Sequence, residues 1–312
     1  MELNEFFIIL NQIIKFTVMI LAGIVCVKAN VIKEKDLGVI SSLVVKVSLP
    51  IFIFCNTILG ATREQLASDF AILPLAFALF ALLTVAAKIM SKFTGMAGAR
   101  KRVYEALFIF GNVGFIGIPL ISAVMPQRGM VYIALFTIVD QLVLWTLGVY
   151  LTSPGDGGFS LSQLKNMLNP PLVAIIAAIA IILCGLELPV QLTDPLKAIG
   201  AVTTPLSLMY IGASLCFCDF RSILTCKEIY VGIAVKMLVA PIAIYHVLAL
   251  CGFEGDICLT MALIASLPTM LTVAMLASAN GVEGEYSVSG SMLTHIFSLF
   301  TLPIVSYVLL VL

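Results

Sequence analysis

Polar residues in this chain fall in short clusters, and between the clusters run apolar stretches of about twenty residues. Ten such stretches can be marked, at about 6–27, 38–59, 70–90, 103–125, 130–151, 170–186, 196–216, 229–250, 257–279 and 287–311. A helix needs about 20 apolar residues to cross a hydrocarbon layer about 30 Å thick. These stretches, segments one to ten, therefore predict an all-α polytopic membrane protein with ten transmembrane helices.

The longest polar interruption, 153–169, is rich in Gly, Ser and Pro and reads as a connecting loop. It separates 1–152 from 170–312, with five segments on each side. Five is odd, so the second half enters the membrane from the opposite face. Halves that share a fold would then form a 5+5 inverted repeat, the plan of many secondary transporters. The prolines pair accordingly: Pro50 of segment two with Pro205 of segment seven, and Pro119 of segment four with Pro268 of segment nine.

Composition agrees with the pattern. The 312 residues are 61% hydrophobic and 11% charged, too few charges to keep a soluble domain in water. Net charge is zero, which gives no electrostatic footprint for nucleic acid. With the N-terminus outside, the inside connections carry eleven Lys and Arg and the outside ones carry Arg63, Arg128 and Lys197. Lys15, Lys46 and Lys236 fall within segments. That bias predicts both termini outside a cytoplasmic (inner) membrane. Segment one is too long an apolar run, with its positive charges on the wrong side, to read as a cleaved leader. The cysteines lie mainly in or beside apolar segments and read as packing residues; Cys216 and Cys218 lack a second ligand pair, so no metal site is expected.

Segment four holds "GNVGFIGIPL", residues 111–120, a sequence poorly suited to an unbroken helix. Pro119 removes a backbone donor and crowds the carbonyl four residues earlier, so a break is expected there. Gly111, Gly114 and Gly117 each lower helix propensity by about 1 kcal/mol. Segment nine has a second expected break at Pro268, flanked by Ser266, Thr269 and Thr272. Two breaks meeting at the midplane would aim half-helix N-termini at one spot, an arrangement that suits a carboxylate. The competing reading is that the glycines form a close-packing face. Asn112, an expensive amide at membrane depth, favours a site.

These residues resemble the Asn-x-Gly-x-x-Gly-x-Pro signature of the auxin efflux carrier family of bacterial and plant transporters. "NPPLVAII" (169–176), "TPLSLMYIGASL" (204–215), "WTLG" (145–148) and "FSLFTLP" (297–303) fit the same family. The resemblance implies a 5+5 inverted fold like that of sodium–bile acid symporters, crossing at Pro119 and Pro268, and a small organic anion as cargo. It also implies that Asn112 lies at the substrate, within a set comprising Asn112, Gly114, Pro119, Pro268, Thr269 and Thr272. Thr272 stands where bacterial relatives often have Asn, and His295 where Thr or Ser is expected. The long central loop of plant members is absent, so auxin is not implied. Bacterial members point instead to malonate and related dicarboxylates.

Ionisable groups inside segments cost about 2.5–3.5 kcal/mol each on insertion scales. Asp140 in segment five and His295 in segment ten are the candidates for ion or proton coupling; the bland readings are an Asp140 ion pair with Lys46 or Lys236 and a hydrogen-bonded histidine. Lys236 either snorkels, pairs or meets an anionic substrate. No cofactor is expected beyond a coupling H+ or Na+, and the partners are the anion, the bilayer and, where the chain associates, a second copy in a homodimer. An enzyme is not expected: there is no H-E-x-x-H, no G-x-S-x-G and no P-loop. A carrier-fold sensor and a channel are the alternatives to active transport.

Overall fold

The computed structural model describes residues 2–60, 62–125, 128–154, 170–217 and 224–311. All but two of the residues of the predicted 153–169 connection, and Cys218, lie outside that set. Among the described residues there is no strand, and seven helices are long and apolar enough to cross a membrane: Phe6–Lys28, Glu34–Gly60, Ile72–Phe93, Arg128–Thr152, Val190–Leu215, Lys227–Leu250 and Gly284–Leu310. They correspond to segments one, two, three, five, seven, eight and ten. Segments four, six and nine contain the shorter apolar helices Val113–Val124, Pro170–Leu183 and Gly255–Ser266.

Two bundles are visible in the packing. Segments one, two, six and seven pack on one another, and segments three, four, five, eight, nine and ten form a second group. Segment one also lies along segment ten, and segment two along segment five, so the bundles meet on a long seam. The first bundle is held by an unusually close crossing. A Cβ on Gly23 would lie 2.0 Å from the Met209 carbonyl oxygen, and one on Gly212 would lie 1.9 Å from that of Ile20. Only glycine at both positions lets the backbones of segments one and seven approach this far.

The outward faces are apolar, with Phe7, Val18 and Val25 of segment one and Leu82 and Val85 of segment three exposed. The polar residues of segment ten point inward instead. Ser287, Ser291, Thr294, His295 and Ser298 recur at helical spacing and are all buried.

The prolines do less damage than the sequence suggests. Helix 49–60 continues through Pro50, and helices 118–124 and 240–250 continue through Pro119 and Pro241. In each case a five-residue π-turn ends two residues before the proline, at Val44–Ser48, Val113–Gly117 and Val235–Val239. A π-turn bonds to the fifth residue along, which relaxes the clash of the proline ring with the carbonyl four residues back. The expected break at Pro119 is therefore corrected. Segment four is interrupted at Phe110–Asn112, between helix Gly98–Ile109 and the π-turn, while Pro119 sits in the first turn of the following helix.

Candidate functional site

Segment nine breaks where the sequence predicts. Helix Gly255–Ser266 ends at Leu267, Pro268–Met270 are extended, and helix Leu271–Ala279 follows. The two interruptions pair with each other: Gly111 and Thr269 form an antiparallel bridge. The Asn112 amide donates to the Pro268 carbonyl at 2.8 Å, and the Met270 amide donates to the Phe110 carbonyl at 2.9 Å. Backbone groups freed inside a membrane cost several kcal/mol each unless bonded. Here each break supplies the other's partners.

Side chains bond most of the remainder. Thr269 N–H donates to Thr294 Oγ1 at 3.1 Å, and its hydroxyl donates to Ser291 Oγ at 2.8 Å. Lys236 donates from Nζ to the Leu267 carbonyl. The lysine does not snorkel; it is buried, and its Nζ lies at the C-terminal end of helix 255–266. Gly111 and Gly117 serve the crossing itself. A Cβ on Gly117 would come within 2.8 Å of Leu267 Cδ1, and one on Gly111 within 3.2 Å of the Ile264 carbonyl oxygen. The close-packing reading thus applies to these two glycines, while Gly114 is turned toward Leu49 of the other bundle.

Asn112 stands at the head of the second half of segment four. Its φ of −77° and ψ of 68° make an inverse γ-turn, closed by Val113 N–H to the Gly111 carbonyl at 2.8 Å. The side-chain Oδ1 accepts from Phe115 N–H at 3.2 Å and caps the new helix. Nδ2 lies 2.9 Å from His295 Nε2, and His295 Nδ1 lies 2.8 Å from the Ser291 carbonyl. A carbonyl only accepts, so Nδ1 carries the proton and Nε2 accepts from Asn112. The imidazole is the neutral tautomer that orients the amide.

A cavity of about 80 Å³ lies on the seam between the bundles. Asn112 and Gly114 of segment four, Asp140 of segment five and Thr272 of segment nine line it together. Val45, Leu49 and Ile53 of segment two and Pro171 of segment six close the opposite side. The other four expected residues stand apart from it: Pro119, Pro268 and Thr269 are buried behind the lining, and His295 reaches it only through Asn112. Sequence reasoning missed Thr137, Gln141, Leu144 and Trp145, which share the cavity wall with Asp140. Thr137 and Leu144, three and four residues from Asp140, were signalled by helical spacing, whereas Gln141 and Trp145 were not.

Asp140 is 1% exposed. Its Oδ2 accepts from Gln141 Nε2 at 3.1 Å, and its Oδ1 has no hydrogen-bond partner among the described residues. The expected alternative of an ion pair is not found: neither Lys46, which is exposed, nor Lys236 pairs with it. Facing the cavity from segment nine is the start of helix 271–279, which has no side-chain cap. Among the described residues the amides of Leu271 and Thr272 have no acceptor.

Two broken helices that pair at their breaks within a bundle of apolar helices, beside a small cavity holding an amide and a carboxylate, are features of membrane transport proteins. The chain matches the family described as "Membrane transport protein" over residues 8–306, and it belongs to that family, the auxin efflux carrier family. It is 23% identical over 302 residues to an uncharacterized transporter of Methanothermobacter thermautotrophicus, covering 96% of this chain and 98% of that one. It is 21% identical over 290 residues to a putative malonate transporter of Rhizobium meliloti, with 88% and 87% covered. An uncharacterized transporter of Escherichia coli K12 is 21% identical over 314 residues, with 96% and 97% covered.

Proposed function

We propose that this protein is a secondary active transporter of a small organic carboxylate, working by alternating access across the cytoplasmic membrane with H+ or Na+ as coupling ion. The observation that carries this reading is the cavity on the seam, faced by the unpaired amides that open helix 271–279 and by the Asn112-capped start of the segment-four helix. Such ends present N–H groups and positive dipole to an anion.

In this reading segments one, two, six and seven are the scaffold, and the other six segments carry the site past it. Ten crossings in two inverted repeats, with both termini outside, complete the proposal. Segments one and two associate with six and seven, their counterparts in the second half, which supports the repeat. Asn112 holds the binding geometry, Gly114 and Thr272 meet the cargo, and Asp140 is the coupling group. Pro119, Pro268, Thr269 and His295 position these.

The test is uptake of labelled malonate, malate and succinate into proteoliposomes under imposed proton or sodium gradients. Malonate comes first because of the Rhizobium meliloti relative's name. Asn112→Ala removes the side-chain partners of the Phe115 amide and of His295 Nε2, at about 1–3 kcal/mol. Uptake is expected to fall at least tenfold while insertion and purified yield stay normal. Unchanged uptake by Asn112→Ala would place the site elsewhere.

A further inference from the structure

The cavity has two unlike poles. One is Leu271 and Thr272 at the uncapped start of helix 271–279; the other is Asp140, buried and with no hydrogen-bond partner for Oδ1 among the described residues. Trp145 Nε1, on the same helix, also has no partner among the described residues. Among the described residues no Lys, Arg or His lines this space. On the elements packed around segment five, Lys46, Lys88 and Lys92 are exposed, and Glu105 is held by Ser91 Oγ at 2.6 Å. Asp256 lies 3.9 Å from Arg128 at the far end of the segment. An ionised carboxylate entering this cavity thus meets another carboxyl group with no cation to separate them.

Two carboxylates in one desolvated site cannot both ionise at low cost, and a single shared proton relieves the repulsion. We infer that Asp140 and the cargo carboxylate share one proton in the cavity, so that the carrier moves its anion with one H+ and without Na+. The inference rests on the carrier reading above. The balance is this: the Asp140 carboxylate, one cargo carboxylate and one proton give an O–H···O bond of net charge −1, and the second carboxylate of a dicarboxylate keeps its own charge. The proton enters with the cargo from one side and leaves with it on the other. The remaining cargo oxygens accept from the Leu271 and Thr272 amides and from Trp145 Nε1. One carboxyl group thus meets both poles.

The experiment follows proton and malonate fluxes together, in proteoliposomes holding a trapped pH indicator, with the membrane potential clamped. Wild type is expected to move one proton per malonate, to ignore sodium, and to accumulate about tenfold more per unit of imposed pH gradient. Asp140→Asn supplies a permanent amide donor in place of the shared proton. It is expected to lose both proton flux and gradient-driven accumulation, with malonate counterflow falling less than either. Wild-type uptake without proton flux, or driven by sodium alone, overturns the shared proton and leaves the carrier reading standing. Proton flux persisting in Asp140→Asn overturns it as well. If that variant does not fold, the wild-type stoichiometry decides alone. Absence of uptake of any of the carboxylates by folded wild type overturns both readings.

Discussion

His295 Nε2 has one use here, accepting from the Asn112 amide. A residue that still accepts in that place should preserve the cap on helix 113–124, whereas an apolar one should not. His295→Gln is expected to retain uptake within a few fold of wild type. His295→Phe leaves a buried amide unpaired, at about 1–3 kcal/mol, and should lose tenfold or more with a matching fall in thermal stability. Parallel uptake and unfolding measurements on the two variants check this. At this scale the sequence was legible where chemistry is costly. Asn112, Asp140 and His295 stand out because an amide, a carboxylate and an imidazole inside apolar runs demand a reason. Trp145 and Thr137 carry no such signal, since aromatic and hydroxyl side chains sit in membrane helices at little cost. The amides of Leu271 and Thr272 are invisible in any sequence, because their exposure depends on how the chain unwinds.

Proline and glycine act differently from their reputations once helices are wide. Pro119 falls behind a π-turn, so its missing donor and bulky ring are already accommodated. Pro119→Ala is therefore expected to change stability by less than about 1 kcal/mol and to leave the break at 110–112 in place. Gly117→Leu forces a side chain against Leu267 Cδ1 and should cost about 1–3 kcal/mol or more. Thermal unfolding in detergent separates the two. The segments themselves were readable from hydropathy, with ends shifted by a few residues; segment seven starts at Val190 rather than 196, Asp194 and Pro195 being carried within its first helix. The position of the segment-four break was not readable. It is set by the partner strand of segment nine, a contact with no local signature.

At the scale of the molecule, the proposed transport cycle requires one bundle to move along the other. Gly114 and Leu49 face each other over the seam, with a Cβ on Gly114 placed 3.4 Å from Leu49 Cδ2. In a cysteine-free background, Leu49→Cys with Gly114→Cys, bridged by mercuric ion, should stop uptake, and excess thiol should restore it. Either single variant should be insensitive to the ion. Uptake that continues with the bridge formed would rule out relative motion at this seam.

The bridge between Gly111 and Thr269 also constrains biosynthesis. Its strands come from opposite halves of the chain, so when segment four is inserted its partner has not yet been translated. The Asn112 amide and the Phe110 carbonyl must wait in the bilayer until Pro268 and Met270 arrive. A first half expressed alone should thus be short-lived in the cell, and co-expression of the second half should rescue it. Assembly of this protein is completed late, by the segment that closes the crossing.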